Sequence, residues 1–189
     1  MGSILLLLSS IVFAQTIMLD KPVVNAGVYV SLGSFMYENG MEQQALQVFL
    51  KGYELEPNNK FILNNLGYYY RDLNPIFAEE YFVKAIEIDQ NYENALNNLA
   101  ILYNNLQLYG RASDVLRKLV EIDSDNINYN YDLAVNLGQK YYKENGTYSD
   151  IIEAIKHFKI VYNLNPDFEH VLDNIQVMDQ VKRVISTRQ

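Results

Sequence analysis

The sequence predicts an all-α chain, a solenoid of four helical hairpins closed by a terminal helix, and three observations carry that prediction. A Leu followed by a small residue recurs with a period of about 34 residues, as Leu32-Gly33, Leu66-Gly67, Leu99-Ala100 and Leu133-Ala134. Ala45, Ala78, Ala112 and Ala154 fall at a second equivalent place, with Phe49, Phe82, Leu116 and Phe158 one helical turn beyond them. The apolar residues within each unit recur three and four apart, the spacing of one helix face. The chemistry is steric. A Gly or Ala lets a partner backbone approach, a bulky residue fills the space beside it, and each unit can bury its apolar face only against its neighbours.

The elements follow in order. Residues 1–14 read as a signal peptide, because no charged side chain occurs from Met1 to Leu19, the runs Ile4–Leu8 and Ile11–Ala14 have the length of an export core, and Val12-Phe13-Ala14 precedes Gln15 as a small-residue cleavage site. The basic flank usual before such a core is absent, and an uncut stretch of about 19 uncharged residues is long enough to serve instead as a membrane anchor. Residues 15–25 form a lead-in, and the repeats occupy 26–59, 60–92, 93–126 and 127–168. Pro57 and Pro166 close the first and last units, where Gln90 and Ser124 stand in the middle ones. The second unit is a residue short, and Leu73-Asn74-Pro75 predicts a tight turn in which Asn74 caps the next helix and Pro75 takes its first position. Glu79-Glu80 is expected in the first turn of that helix, complementing its dipole. The fourth unit is about eight residues too long, with the surplus at 139–148. It predicts a first helix overrunning its neighbours, a turn at Asn145-Gly146, and a second helix starting near Ile151 behind Ser149-Asp150. Residues 169–189 form a capping helix and tail, with Val171, Leu172, Ile175, Met178 and Ile185 as the apolar stripe and a polar outer face.

Over residues 26–168 the pattern resembles the tetratricopeptide repeat family. The resemblance implies a right-handed, non-catalytic superhelix whose first helices line a concave groove holding a peptide segment or helix of a partner protein. The residues just before each Leu-small pair, and those one turn beyond, would face that groove. Here they are Val30, Ser31 and Ser34, then Asn64, Asn65 and Tyr68, then Asn97, Asn98 and Ile101, then Tyr131, Asp132 and Val135. Asn65 and Asn98 match the rungs of the asparagine ladder in the O-linked N-acetylglucosamine transferase superhelix, where an amide, both donor and acceptor, grips an extended backbone. The carboxylate clamp of chaperone adaptors lacks its cationic partners here. Tyr68 and Tyr131 would anchor side chains, and Asp132, able only to accept, would favour a partner Lys or Arg. The plainer alternative is that these Asn residues solvate a helix face.

Composition narrows the remaining classes. Acidic residues outnumber basic ones 23 to 15, and no Lys/Arg stripe occurs, which disfavours nucleic acid. The absence of cysteine excludes disulfides and thiol-linked lipid. His157 and His170 lack metal-ligand spacing, His157 is expected at a surface or half-buried place, and Gly33 and Gly67 sit singly within helices rather than in a phosphate loop. No catalytic residue, metal or cofactor is therefore expected. Asn145-Gly146-Thr147 fits a glycosylation sequon. The expected partner is a protein or peptide, with export to a periplasmic or extracellular space, or membrane anchorage if the leader stays. The alternative function is a self-associating homo-oligomer module of an envelope assembly.

Overall fold

The computed structural model describes residues 25–187, so the expected leader at 1–14 and all of the lead-in but Asn25 lie outside the described residues. Among the described residues there are nine helices and no strand: α1 (Ala26–Glu38), α2 (Glu42–Leu55), α3 (Lys60–Tyr70), α4 (Pro75–Ile88), α5 (Glu93–Asn105), α6 (Tyr109–Ile122), α7 (Ile127–Lys143), α8 (Tyr148–Leu164) and α9 (Val171–Ser186). They pack as the pairs α1/α2, α3/α4, α5/α6 and α7/α8, each second helix lying against the next first helix, and α9 closes on α8. No described helix is long and apolar enough to cross a membrane.

The small residues do the work their spacing suggests. A Cβ built on Gly33 would lie 2.3 Å from the Phe49 ring, and one on Gly67 would lie 2.6 Å from Phe82, so each aromatic ring rests on bare backbone of its partner helix. Ala45, Ala78, Ala112 and Ala154 are fully buried at the matching places of the second helices. The apolar side chains run through the array from Val48, Phe49 and Ile62, past Phe82 and Leu102, to Leu133, Leu137 and Phe158 beneath α9.

Asn25, Asn59, Asn74 and Asn126 accept backbone N–H groups at the starts of their helices, and Pro75 opens α4, which anchors the register. The residue missing from the second unit comes out of the helix and not the turn: α3 has 11 residues where α1 and α5 have 13. Starting α4 at Pro75 also puts Glu79 and Glu80 in its second turn, not its first. They act sideways instead, Glu80 pairing with Lys84 at 2.7 Å and Glu79 with Arg111, while Tyr103 donates to Glu79 at 3.1 Å.

The surplus of the fourth unit is shared between its helices, since α7 and α8 each have 17 residues against 14 in α2. The second helix begins at Tyr148, earlier than expected. Thr147 is the N-cap, and Asp150 supplies the returning half of a capping box by accepting the Thr147 N–H at 2.6 Å. Before it, the Gly146 N–H donates to the Lys140 carbonyl at 3.1 Å, and a Cβ at Gly146 would lie 2.6 Å from Tyr141 Cα. Only glycine fits that turn.

The last helix stands where the first helix of a fifth unit would. Asn174 donates to the Tyr131 hydroxyl at 3.3 Å as Asn98 donates to Asn64 Oδ1 at 2.9 Å, and Met178 approaches Gly138 as Tyr69 approaches Tyr37. Val171, Ile175 and Met178 are buried, but Leu172 is 49% exposed, and Val177 and Val184 are exposed as well, so the uncovered part of α9 is not wholly polar. Leu172 occupies the register place of Leu63, which packs with Ala85 of its own second helix, and α9 has no such helix among the described residues.

Candidate peptide-binding groove

Successive first helices touch, α1 with α3 and α3 with α5, whereas no two second helices come into comparable contact, so the first helices form the inner side of the array. A cleft of about 460 Å³ opens there between α1 and α3, lined by Ser34, Tyr37, Glu38, Asn64, Asn65 and Tyr68 over the Phe49 ring. The Tyr37 and Tyr68 rings meet edge to face at 5.5 Å, and the Arg71 guanidinium lies over Tyr68 at 4.7 Å. Burial, and then the neighbouring Tyr68, push the Tyr37 hydroxyl above its ordinary pKa. The wall is therefore mainly aromatic and amide, with neutral hydroxyl tips at its rim and the Glu38 carboxylate at its edge.

Each expected groove residue has a definite place. Ser31 is exposed and donates back to the Gly27 carbonyl at 3.1 Å, Val30 packs half-buried against the first core, and Ser34 lines the cleft. Asn64 is buried at 9% exposure and accepts from Asn98, while Asn65 and Asn97 are half-buried. Tyr68 and Ile101 are open to solvent at 38% and 37%. Val135 packs partly against the C-terminal core. Asp132 is solvent-accessible, yet enough protein surrounds it that desolvation raises its carboxyl above the usual range, as a concave position would. Tyr131 is engaged in packing, with its ring 5.7 Å from Phe158 and 4.9 Å from Phe168 and its hydroxyl accepting from Asn174.

Sequence reasoning missed Tyr37, Glu38 and Arg71. They stand one turn beyond the Ser34 and Tyr68 places, so continuing the same register for one more turn would have found them. His157 departs from its expected surface or half-buried place: it is 6% exposed, with Nδ1 2.7 Å from Asn130 Oδ1. Asn130 Nδ2 donates to the Ser124 and Asn126 carbonyls, which turns its Oδ1 to the ring and makes His157 Nδ1–H the donor. Burial, chiefly, lowers the His157 pKa. His170 is exposed beside Glu169 and Asp173. Among the described residues no three His, Cys, Asp or Glu side chains gather as a metal site would require.

A tetratricopeptide repeat profile matches residues 93–126, the third unit. No curated protein matches the sequence. Among solved structures, the chain superposes on a MamA protein with a TM-score of 0.69 at 19% identity, covering 86% of each chain. It superposes on a MamA RS-1 ArsTM double mutant with a TM-score of 0.70 at 16% identity, covering 84% of this chain and 85% of that one. The Pseudomonas aeruginosa pilF structure gives a TM-score of 0.64 at 19% identity, covering 84% of this chain and 69% of that one. At such identities the likeness is one of fold. One unit matches the tetratricopeptide repeat directly, and its neighbours repeat the same register of Leu-small pairs, caps and buried alanines, so the likeness in pattern and fold extends along the described array.

Proposed function

We propose that the chain is a non-catalytic scaffold that holds an extended segment of a partner protein against its inner helical face. A tetratricopeptide fold suits protein–protein interaction, and one observation carries the finer reading: the Asn98–Asn64 amide pair beside the open Tyr37–Tyr68 cleft. That bond engages one donor of Asn98 and one acceptor position of Asn64. It holds both amides in place while the Asn98 carbonyl and the Asn64 and Asn65 N–H groups keep capacity for a main chain. Each such bond is worth about 0.5–1.5 kcal/mol, or up to about 3 where the peptide group would otherwise stay buried and unpaired. The test is site-specific photo-crosslinking from position 101 in the cells that make the protein. The captured partner is then titrated against Asn65→Ala/Asn98→Ala, checked for native helicity and stability. The expected result is an affinity loss of about tenfold or more; equal affinity would remove the groove as the site.

The same reading includes a right-handed coil, removal of residues 1–14 and delivery beyond the cytoplasm. The apolar leader supports export, and intact mass should begin at Gln15. Met1 retained on a soluble protein would sink it. Self-association is the second reading, favoured by Val28 and Phe35, which are 41% and 52% exposed at places where Ile62 and Leu102 are 0% and 1% exposed in later units. Sedimentation over a concentration range, with Phe35→Glu as the control, separates the two: a dimer lost in that variant favours self-association.

A further inference from the structure

The register through α9 carries the inner face past the fourth unit. One turn beyond each Leu-small pair stand Ser34, Tyr68, Ile101 and Val135, and the equivalent place in α9 is Val177, so this row becomes aliphatic toward the C-terminal end. There a second cleft of about 600 Å³ lies between the end of α7 and α9, walled by Tyr141, Tyr142, Val177, Val181, Val184 and Ile185. Tyr142, Val177 and Val184 are 55%, 46% and 52% exposed. Tyr141 and Tyr142 belong to the surplus of the fourth unit. The overrun of α7 therefore builds one wall of the cleft, which a helix of ordinary length would leave open.

Charge on this face is one-sided. Glu38, Asp72, Asp132 and Asp173 occupy its register places, all exposed. Arg71 is the one cation at those places among the described residues, and it is laid over Tyr68 with its Nε 3.5 Å from Asp72. Lys140, near the cleft, is held by Asp150 at 2.8 Å. An apolar cavity at the end of an acidic face is complemented by a ligand with cationic side chains along its length and an apolar end.

Building on the peptide-groove reading above, we infer that the groove takes an extended partner segment carrying Lys or Arg beside Asp132 and an aliphatic or aromatic cluster that fills the α7–α9 cleft. The test uses the full chain and fluorescence anisotropy. The probe is a fluorescein-labelled Gly/Ser peptide with two central Lys residues and a Leu-Leu-Phe end, compared with one bearing Glu for Lys and one bearing Ser for Leu-Leu-Phe. Either change in the peptide should weaken binding about tenfold or more. Val184→Glu should abolish the preference for the apolar end, and Asp132→Lys should transfer preference from the Lys probe to the Glu probe. Both positions are exposed, and circular dichroism verifies their folds. Equal affinity for the three peptides, binding of none, or native behaviour of Val184→Glu overturns the inference. So does a Val184→Glu effect confined to sedimentation, which would make a second copy the occupant. If these fail while Asn65→Ala/Asn98→Ala still loses the crosslinked partner, the groove stands and the ligand chemistry inferred for it falls.

Discussion

His157 is tied into the fourth hairpin by a bond that requires a proton on Nδ1 and so selects one tautomer of its neutral ring. Its Nδ1–H reaches Asn130 Oδ1, and the same amide fastens the α6–α7 turn through the Ser124 and Asn126 carbonyls. Burial, then the Lys156 charge, lower its pKa below the ordinary 6.5, with Glu153 opposing and Arg117 adding to the fall. The sign follows from linkage: the folded chain binds this proton less tightly than the unfolded chain. The contribution is complete above the unfolded value and is lost as pH falls through it. The melting temperature should therefore drop on acidification below about pH 6.5, and His157→Gln should flatten that part of the profile. Asn130→Ala should cost about 1–3 kcal/mol in urea melts, because it strands a buried ring N–H and removes a donor from two turn carbonyls. A pH profile in which the His157 variant keeps the native slope would contradict the assignment. Gly33 and Gly67 were legible in the sequence because their steric role repeats from unit to unit. His157 was not, since its partner lies 27 residues away on another helix and a lone His beside Phe158 gives no local sign of burial.

The start of α6 is held by a side chain from the neighbouring unit. Leu108 stands at its N-cap and offers no acceptor, while the Tyr109 and Gly110 N–H groups donate to the two Glu144 oxygens at 2.6 and 2.7 Å. Glu144 caps the overlong α7, so the extra turn carries a carboxylate to the positive end of another helix. Convex ion pairs run in parallel: Arg117 grips Glu153 with Nε and Nη2 at 2.8 and 2.9 Å, joining α6 to α8. Glu144→Gln keeps the shape and removes the charge, and should cost about 0.3–1 kcal/mol at low salt, less as salt rises. Glu144→Ala removes the cap and should cost about 0.5–2 kcal/mol. If urea melts give both variants native stability, the contact is incidental. The overrun of α7 was legible from the count of residues between Leu133 and Ala154. Its purpose was not, because capping patterns in a sequence compare near neighbours and this donor–acceptor pair is 34 and 35 residues apart.

At the scale of the whole array, stability depends on each unit covering the next, and the last hairpin has only α9 to cover it. Ile155, Phe158 and Val161 of α8 belong to the same buried cluster as Val171, Ile175 and Met178, and Asn174 ties α9 back to Tyr131. A terminal helix was readable from the apolar stripe behind Pro166. That it repeats the geometry of a first helix was not, because the α8–α9 connection is longer than the others and passes through the left-handed residue His170, which shifts its start. Ending the chain at Asn165 uncovers the α8 face and deletes those three buried side chains. At about 1.5–3 kcal/mol for each buried side chain, offset by the ordering entropy α9 no longer requires, the loss is on the order of 5 kcal/mol. That is comparable to the whole stability of a small domain. In a nearest-neighbour array the damage should be graded along the chain, so hydrogen exchange should accelerate most in α7 and α8 and least in α1 to α4. The helix also forms one wall of the C-terminal cleft, and two substitutions separate its roles. Ile175→Ala should lower stability by about 2–5 kcal/mol, while Val184→Glu should leave the melt unchanged. Uniform exchange throughout the truncated chain would mean that it unfolds as one unit, and that α9 supports the whole solenoid and not just its last hairpin.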